Sequence, residues 1–260
     1  MIQFEQIQRF FPKEVSDQAN NRKYMLKEYI QLMILGFLST SQYVKKIALI
    51  GGTGLRLAKG IDRFSEDLDF DCKQFSQSEF EKMTEEVVTF LRRHGLRAEA
   101  RDRENRRLKA FRRCIYFPEF LFDMNLSGYK EERFMIKIES QDQGFDYLPT
   151  LVNIRHAGFF FPFPMPPDAV LCAMKISALL SRKKGRDFYD TFFLLQQTVP
   201  DYNYLSEKCG ISNIDELKTA VLQVFETTGV NRKLQDFTHL LFDKSSRNKA
   251  LVLKDFIQTL

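Results

Sequence analysis

The sequence contains no tryptophan, three histidines and four cysteines in 260 residues. Cys72, Cys114, Cys172 and Cys209 lie far apart. No two of them have metal-ligand spacing, and they do not form a disulfide framework. They are expected as buried free thiols in a reducing cytosol. His94, His156 and His239 show no ligand spacing, and no role is read into them. Long apolar runs are also missing. The longest, Tyr29 to Leu38, is about half of what a membrane span requires. Met1 to Val15 lacks a basic stretch followed by an apolar one, so no secretory leader is expected. No repeat or low-complexity tract interrupts the chain. These absences point to a cytoplasmic globular protein with no membrane partner.

What is present is enough for a core. Hydrophobic residues reach 44%, with 26 phenylalanines, which argues against disorder. The length suits one large domain or two small ones. A net charge of +5, from 39 basic and 34 acidic residues, suits a polyanionic partner.

Periodicity sets the expected elements. Leu26, Ile30, Met33 and Phe37 recur at helical spacing, predicting an amphipathic helix over Arg22 to Ser39. Lys45 to Ile50 reads as a buried strand ending in Gly51-Gly52-Thr53-Gly54, with a short helix from Leu55 to Lys59 closed by Gly60. Asp67-Leu68-Asp69-Phe70-Asp71 alternates with period two, as a strand does. Ser78 and Glu81 offer a capping box for a helix running to His94, with Gly95 as its stop. Ala110 to Phe117, Phe120 to Leu126 and Phe134 to Glu139 read as strands. The Pro- and Phe-rich stretch between Pro149 and Pro167 reads as a domain boundary. Helices are expected from Asp168, as cap, to Arg182 before Gly185, then over Arg186 to Gln197, Asp215 to Thr227 and Lys249 to Leu260.

Two signals carry chemistry. A strand entering Gly51-Gly52-Thr53 lets a phosphate approach the backbone, because no Cβ stands in the way. Successive N–H groups there form an anion nest, and Thr53 adds a hydroxyl donor. Asp67 and Asp69, two apart on a strand, share one face, while Leu68 and Phe70 face the core. Two neighbouring carboxylates need a cation between them, and Mg²⁺ binds in this way together with substrate phosphates. Each signal alone is weak; a Gly-Gly pair is usually a turn and an Asp-x-Asp pair a solvated strand face.

Together they resemble the core motif of the polymerase-beta-like nucleotidyltransferase superfamily. Gly51 to Leu55, Arg63 to Phe70, Lys175 to Arg182 and Gly185 to Asp190 further resemble the AbiEii/AbiGii nucleotidyltransferase toxin family, over about residues 24 to 197. Gly54 stands where the family often has Ala. The chain after Pro200 matches no motif. The resemblance implies an α/β (α+β) nucleotidyltransferase fold with a small mixed sheet over residues 1–155, including an N-terminal helix. A helical C-terminal domain over 156–260 would follow. It implies a third carboxylate on a later strand; Glu139 is preferred and Asp123 is the rival.

On this reading Asp67, Asp69 and Glu139 form a site for Mg²⁺ (or Mn²⁺), and Glu139 could instead help deprotonate the attacking hydroxyl. Gly51, Gly52 and Thr53 hold phosphates, and Lys175 and Arg182, two turns apart on one helix face, suit a triphosphate. Lys175, inside an apolar run, needs a buried partner. Asp187 is assigned to the active site by resemblance, ahead of Asp190. Arg63 and Ser65 either position their loop or touch phosphate, with a structural salt bridge open for Arg63.

The implied activity is transfer of a nucleoside monophosphate from an NTP to an acceptor hydroxyl, in a toxin with a possible cognate antitoxin. The resemblance, to a family that includes tRNA-modifying members, implies an RNA acceptor, tRNA first, and Arg92 to Arg113, with ten basic and three acidic residues, suits a phosphate backbone. Transfer to a protein or small molecule, and a non-catalytic nucleotide- or RNA-binding protein on the same scaffold, are the alternatives.

Overall fold

The computed structural model describes residues 3–101 and 110–260. Two units divide the chain. Met1–Gly60, Phe64–Gly144 and Pro149–Met165 form one; Ile61–Arg63, Phe145–Leu148 and Pro166–Leu260 form the other. The first unit continues to Met165.

The first unit opens with the short helices α1 (Phe4–Gln8) and α2 (Lys13–Ser16), then α3 (Arg22–Ser39) at the expected bounds. α3 is not amphipathic. It is covered on most sides, burying Met25, Leu26, Ile30, Leu32, Ile34, Leu35 and Leu38. The reason is tertiary: Phe37 stacks on Phe90 on one side, and Gly36 faces the Phe161 ring on another.

β1 (Ile47–Ile50) runs straight into α4 (Gly51–Gly54), which continues as a π-turn over Leu55–Lys59 and stops at Gly60 (φ +75°). The expected Gly-Gly turn is thus the first turn of a helix. β2 (Asp67–Cys72) follows. α5 (Gln77–Arg93) is capped by Ser76 with Glu79, two residues before the expected box; the sequence holds two overlapping Ser-x-x-Glu signatures and the earlier one forms. β3 (Glu99–Arg101) and β4 (Phe111–Tyr116) lead to α6 (Phe120–Asp123) and β5 (Met135–Gln141).

α6 replaces the strand expected over Phe120 to Leu126. A short apolar run does not tell strand from helix by periodicity. Here Phe120 and Phe134 meet at 5.0 Å between ring centroids, and a helical turn buries Phe120 and Leu121 while the chain reverses towards β5.

The five-stranded sheet is ordered β1-β2-β5-β4-β3 and is mixed: β2 and β5 are parallel, the other neighbours antiparallel. The Pro- and Phe-rich stretch expected as a boundary is a hairpin, β6 (Thr150–His156) and β7 (Phe159–Met165). Ala157 and Gly158 both have positive φ (47° and 83°), as a type I′ turn requires. Phe161, Phe163 and Met165 point into the core, while Pro162 and Pro164 alternate with them; the prolines misled the sequence reading, although prolines suit an edge strand.

In the second unit α7 (Asp168–Arg182), α8 (Gly185–Leu195), α9 (Tyr202–Cys209), α10 (Ile214–Thr227), α11 (Val230–Gln235) and α12 (Lys249–Thr259) follow in order. Asp168 is the first helical residue of α7 rather than its cap, and Lys183 (φ 52°) ends it in place of Gly185. Among the described residues no helix is long and apolar enough to cross a membrane.

Candidate active site

Gly51 has φ +72°, a conformation open to glycine. A Cβ there would stand 2.3 Å from Asp69 Oδ2 and 2.9 Å from Asp69 Cβ. The Asp69 carboxylate thus lies against bare backbone at the start of α4. Thr53 is buried, and its Oγ1 donates to the Asp67 main-chain carbonyl at 2.5 Å. That proton was expected to serve phosphate; it ties α4 to the start of β2 instead.

Asp67 and Asp69 are half-buried on one face of β2, with Leu68 and Phe70 fully buried on the other. Asp71, the third acid of the run, is buried and accepts the Gln143 N–H at 2.9 Å. The parallel register sets Asp67 opposite Lys137 and Asp69 opposite Glu139. Lys137 Nζ lies 2.9 Å from Asp67 Oδ2 and 3.0 Å from Glu139 Oε1. From β4, Arg112 stands opposite Glu139 with Nε 2.6 Å from the same Oε1. A row of alternating charge therefore crosses three strands. Burial pushes the Lys137 ammonium pKa down, but Asp67 and Glu139 outweigh it and raise it above its ordinary value. Burial pushes Glu139 up, and Lys137 with Arg112 outweigh that and hold it below the usual carboxylate range.

Asp123 is elsewhere, at the end of α6 and ion-paired with Arg97. The strand beside Asp69 carries Glu139. Beneath α4, the buried Glu28 of α3 accepts from Arg56 Nε at 3.0 Å and Nη2 at 3.1 Å, and His156 Nε2 lies 2.6 Å from its Oε1. This cluster braces the π-turn that follows the glycines.

In the second unit Asp190 is fully buried and is the partner that Lys175 required. Lys175 Nζ donates to its Oδ2 at 2.8 Å. Arg63 forks onto the same carboxylate, Nε to Oδ1 and Nη2 to Oδ2, both at 2.7 Å. Burial pushes the Asp190 carboxyl up, and the two cations outweigh it and hold it far below the usual range. Arg63 therefore makes the structural salt bridge that the sequence left open. Asp187 is buried too; it accepts Arg182 Nη2 at 2.7 Å and the Lys184 N–H at 3.1 Å, capping α8. Ser65 is buried, and its carbonyl accepts from Gln31 at 3.2 Å.

Sequence reasoning missed Lys137 and Arg112 as neighbours of the aspartates, and ranked Asp190 below Asp187. A Lys-x-Glu strand opposite an Asp-x-Asp strand is a readable pattern, but only once the parallel register is known.

Among the described residues no group of three or more His, Cys, Asp or Glu side chains gathers closely enough to hold a metal ion. Asp67 and Asp69, hard oxygen donors on one face of β2, with Asp69 against the Gly51 backbone, fit Mg²⁺, which takes one or two carboxylates and completes its shell with water and phosphate. Glu139 is engaged by Lys137 and Arg112, and Asp67 by Lys137.

The sequence profile of the nucleotidyl transferase AbiEii toxin of type IV toxin–antitoxin systems matches residues 34–256. The chain belongs to the AbiEii nucleotidyltransferase toxin family. It is accordingly a nucleotidyltransferase, and its fold is shared with solved structures. MenT4, a nucleotidyltransferase toxin from Mycobacterium tuberculosis, superimposes with a TM-score of 0.63 at 16% identity, covering 100% of this chain and 91% of that one. JHP933 from Helicobacter pylori gives 0.57 at 17% identity, covering 91% and 90%. A further nucleotidyltransferase from H. pylori gives 0.58 at 18% identity, covering 90% and 93%. No curated protein sequence matches. The family is one of toxins of type IV toxin–antitoxin systems.

Proposed function

We propose that this AbiEii-family enzyme transfers a nucleoside monophosphate from an NTP to a hydroxyl of RNA, tRNA foremost, in the cytoplasm, with Mg²⁺ (or Mn²⁺) at Asp67 and Asp69. The observation that carries the reading is the contact of the Asp69 carboxylate with the bare backbone of Gly51, which brings a hard-cation donor and a phosphate-accessible turn together. The acceptor oxygen bonds to the α-phosphorus, the bond from the α-phosphorus to the bridging oxygen of the β-phosphate breaks, pyrophosphate leaves with that oxygen, and the hydroxyl proton passes to water. The divalent ion, when bound, supplies charge neutralisation at the phosphates. Asp67 and Asp69 hold it. Gly51 and Gly52, at the start of α4, offer main-chain N–H groups to phosphate. Lys175 gives one donor to Asp190 and has others for a triphosphate, an ammonium having three. Arg63 and Asp187 act as structural supports, Arg63 by orienting Asp190 and Asp187 by holding Arg182.

RNA is favoured by the net charge and by Arg92 to Arg113. Residues 102–109 of that segment, including Arg106 and Arg107, lie outside the described residues. Of the rest, Arg97, Arg101, Arg112 and Arg113 make ion pairs within the protein. The reading keeps the whole segment Arg92 to Arg113 as the RNA-contacting stretch, since exposed ion pairs such as those of Arg97 and Arg101 are weak. Incubation of the purified protein with each α-labelled NTP and total cellular RNA tests it. Label is expected on RNA, dependent on divalent cation and lost in Asp67→Asn and Asp69→Asn. Label found only on protein would overturn the RNA acceptor, and transfer retained in either variant would overturn the site. RNA affinity should fall steeply with salt, and Arg106→Glu with Arg107→Glu should weaken it alike for all sequences.

A further inference from the structure

We infer that Lys137 is a positioning residue that holds Asp67 in reserve: its ammonium stands between Asp67 and Glu139 as an internal cation, and it gives up Asp67 when a divalent metal binds, with Glu139 keeping it beside the site. This rests on the reading of Asp67 and Asp69 as the metal-holding pair.

The arrangement is built by the sheet. Parallel pairing fixes Lys137 directly across from Asp67 and Glu139 directly across from Asp69. Lys137 reaches along the ladder to both carboxylates, at 2.9 Å and 3.0 Å. Asp67 and Asp69 share a half-buried face, where like charges raise each other's cost. Lys137 supplies a compensating charge at Asp67 from within the fold. Glu139 is suited to retain the ammonium rather than to follow the metal, because Arg112 already pins the same oxygen at 2.6 Å.

An internal cation competes with an external one for the same oxygen. Mg²⁺ also sheds water reluctantly and prefers sites completed by substrate phosphates. Metal alone should therefore bind weakly. Nucleotide should strengthen it, since a triphosphate brings further oxygen ligands for the ion and anionic charge for the displaced ammonium.

Mn²⁺ titration followed by electron paramagnetic resonance, on the full chain without nucleotide, reads this directly. Lys137→Met, similar in length, should bind Mn²⁺ about tenfold more tightly than wild type, the modest end of what a unit charge touching a half-buried carboxylate is worth. Lys137→Arg keeps the charge and should stay near wild type. If Lys137→Met does not fold, as judged by thermal unfolding, Lys137→Gln takes its place. Equal affinity in wild type and the uncharged variant would overturn the role of Lys137 while leaving the metal pair standing. Asp67→Asn checks the underlying reading: Mn²⁺ affinity unchanged in that variant, or no Mn²⁺ binding in any protein, would overturn the metal pair itself and the inference with it.

Discussion

At the scale of single residues, Asp190 is the most consequential side chain in the second unit. One carboxylate, shielded from water, serves Arg63 and Lys175 together. Replacing it leaves two buried cations without the anion they share, and breaking a buried pair by removing one partner costs about 3–5 kcal/mol. Asp190→Ala should lose about that much in urea unfolding. Lys175→Met differs, because the Arg63 fork remains on Asp190 and one buried charge disappears. Its unfolding midpoint should match or exceed wild type while NTP use falls sharply. An Asp190→Ala protein as stable as wild type would contradict this account. The need of Lys175 for a partner was legible from its place in an apolar run. The partner's other cation was not, because Arg63 lies 127 residues away from Asp190.

At the scale of elements, two glycines show why the same residue type has two meanings. Gly60 ends the π-turn at φ +75°, and a Cβ there would meet nothing within 4 Å. Gly185 opens α8 where a Cβ would fall 2.0 Å from the Lys233 carbonyl oxygen and 2.9 Å from the Phe237 ring. The first is needed for its backbone conformation, the second for close contact between α8 and the residues of α11. Gly60→Ala should cost about 1–2 kcal/mol, the price of a left-handed residue with a Cβ. Gly185→Ala should cost about 3 kcal/mol or more, because backbone cannot move aside as a side chain can. Thermal unfolding of the two variants checks the order, and a reversed order would refute the contact. From sequence both glycines read as stop signals. For Gly60 the reading holds; for Gly185 the helix had already ended at Lys183.

At the scale of the whole molecule, buried acids set the response to pH. Glu28 is buried, and burial pushes its pKa up; His156 and Arg56 outweigh that and hold it below its ordinary 4.5. Asp190 lies below its ordinary 3.8 for the reason already given. A carboxyl whose pKa is lower folded than unfolded contributes its full stability above the unfolded value, and loses it as pH falls towards the folded one. Stability should therefore be level from neutral pH down to about 5 and fall below that, by about 1.4 kcal/mol per pH unit for each carboxyl that takes up its proton on unfolding. Denaturant unfolding between pH 7 and 3 measures it. Asp190→Asn should flatten the acid limb, and an unchanged limb would remove Asp190 from the explanation.

The sequence by itself determined the elements whose signals are local and the motif whose spacing is short. The strand carrying Asp67 and Asp69 was readable because alternation operates over a few residues, the bounds of α3 were readable though its burial on most sides was not, and the Gly-Gly and Asp-x-Asp pairs were readable because each lies on a single element. The family followed from those residues and from the block around Lys175. Tertiary structure decided the rest. Only the parallel pairing of β2 with β5 sets Lys137 and Glu139 beside the aspartates, since register is a relation between distant segments. Only the packed core makes a hairpin of the Pro-rich stretch, because it buries Phe161, Phe163 and Met165 on one face. Only the fold assigns Thr53 to a main-chain carbonyl and Lys175 to Asp190, because a buried polar group takes whatever partner the surrounding chain brings within reach.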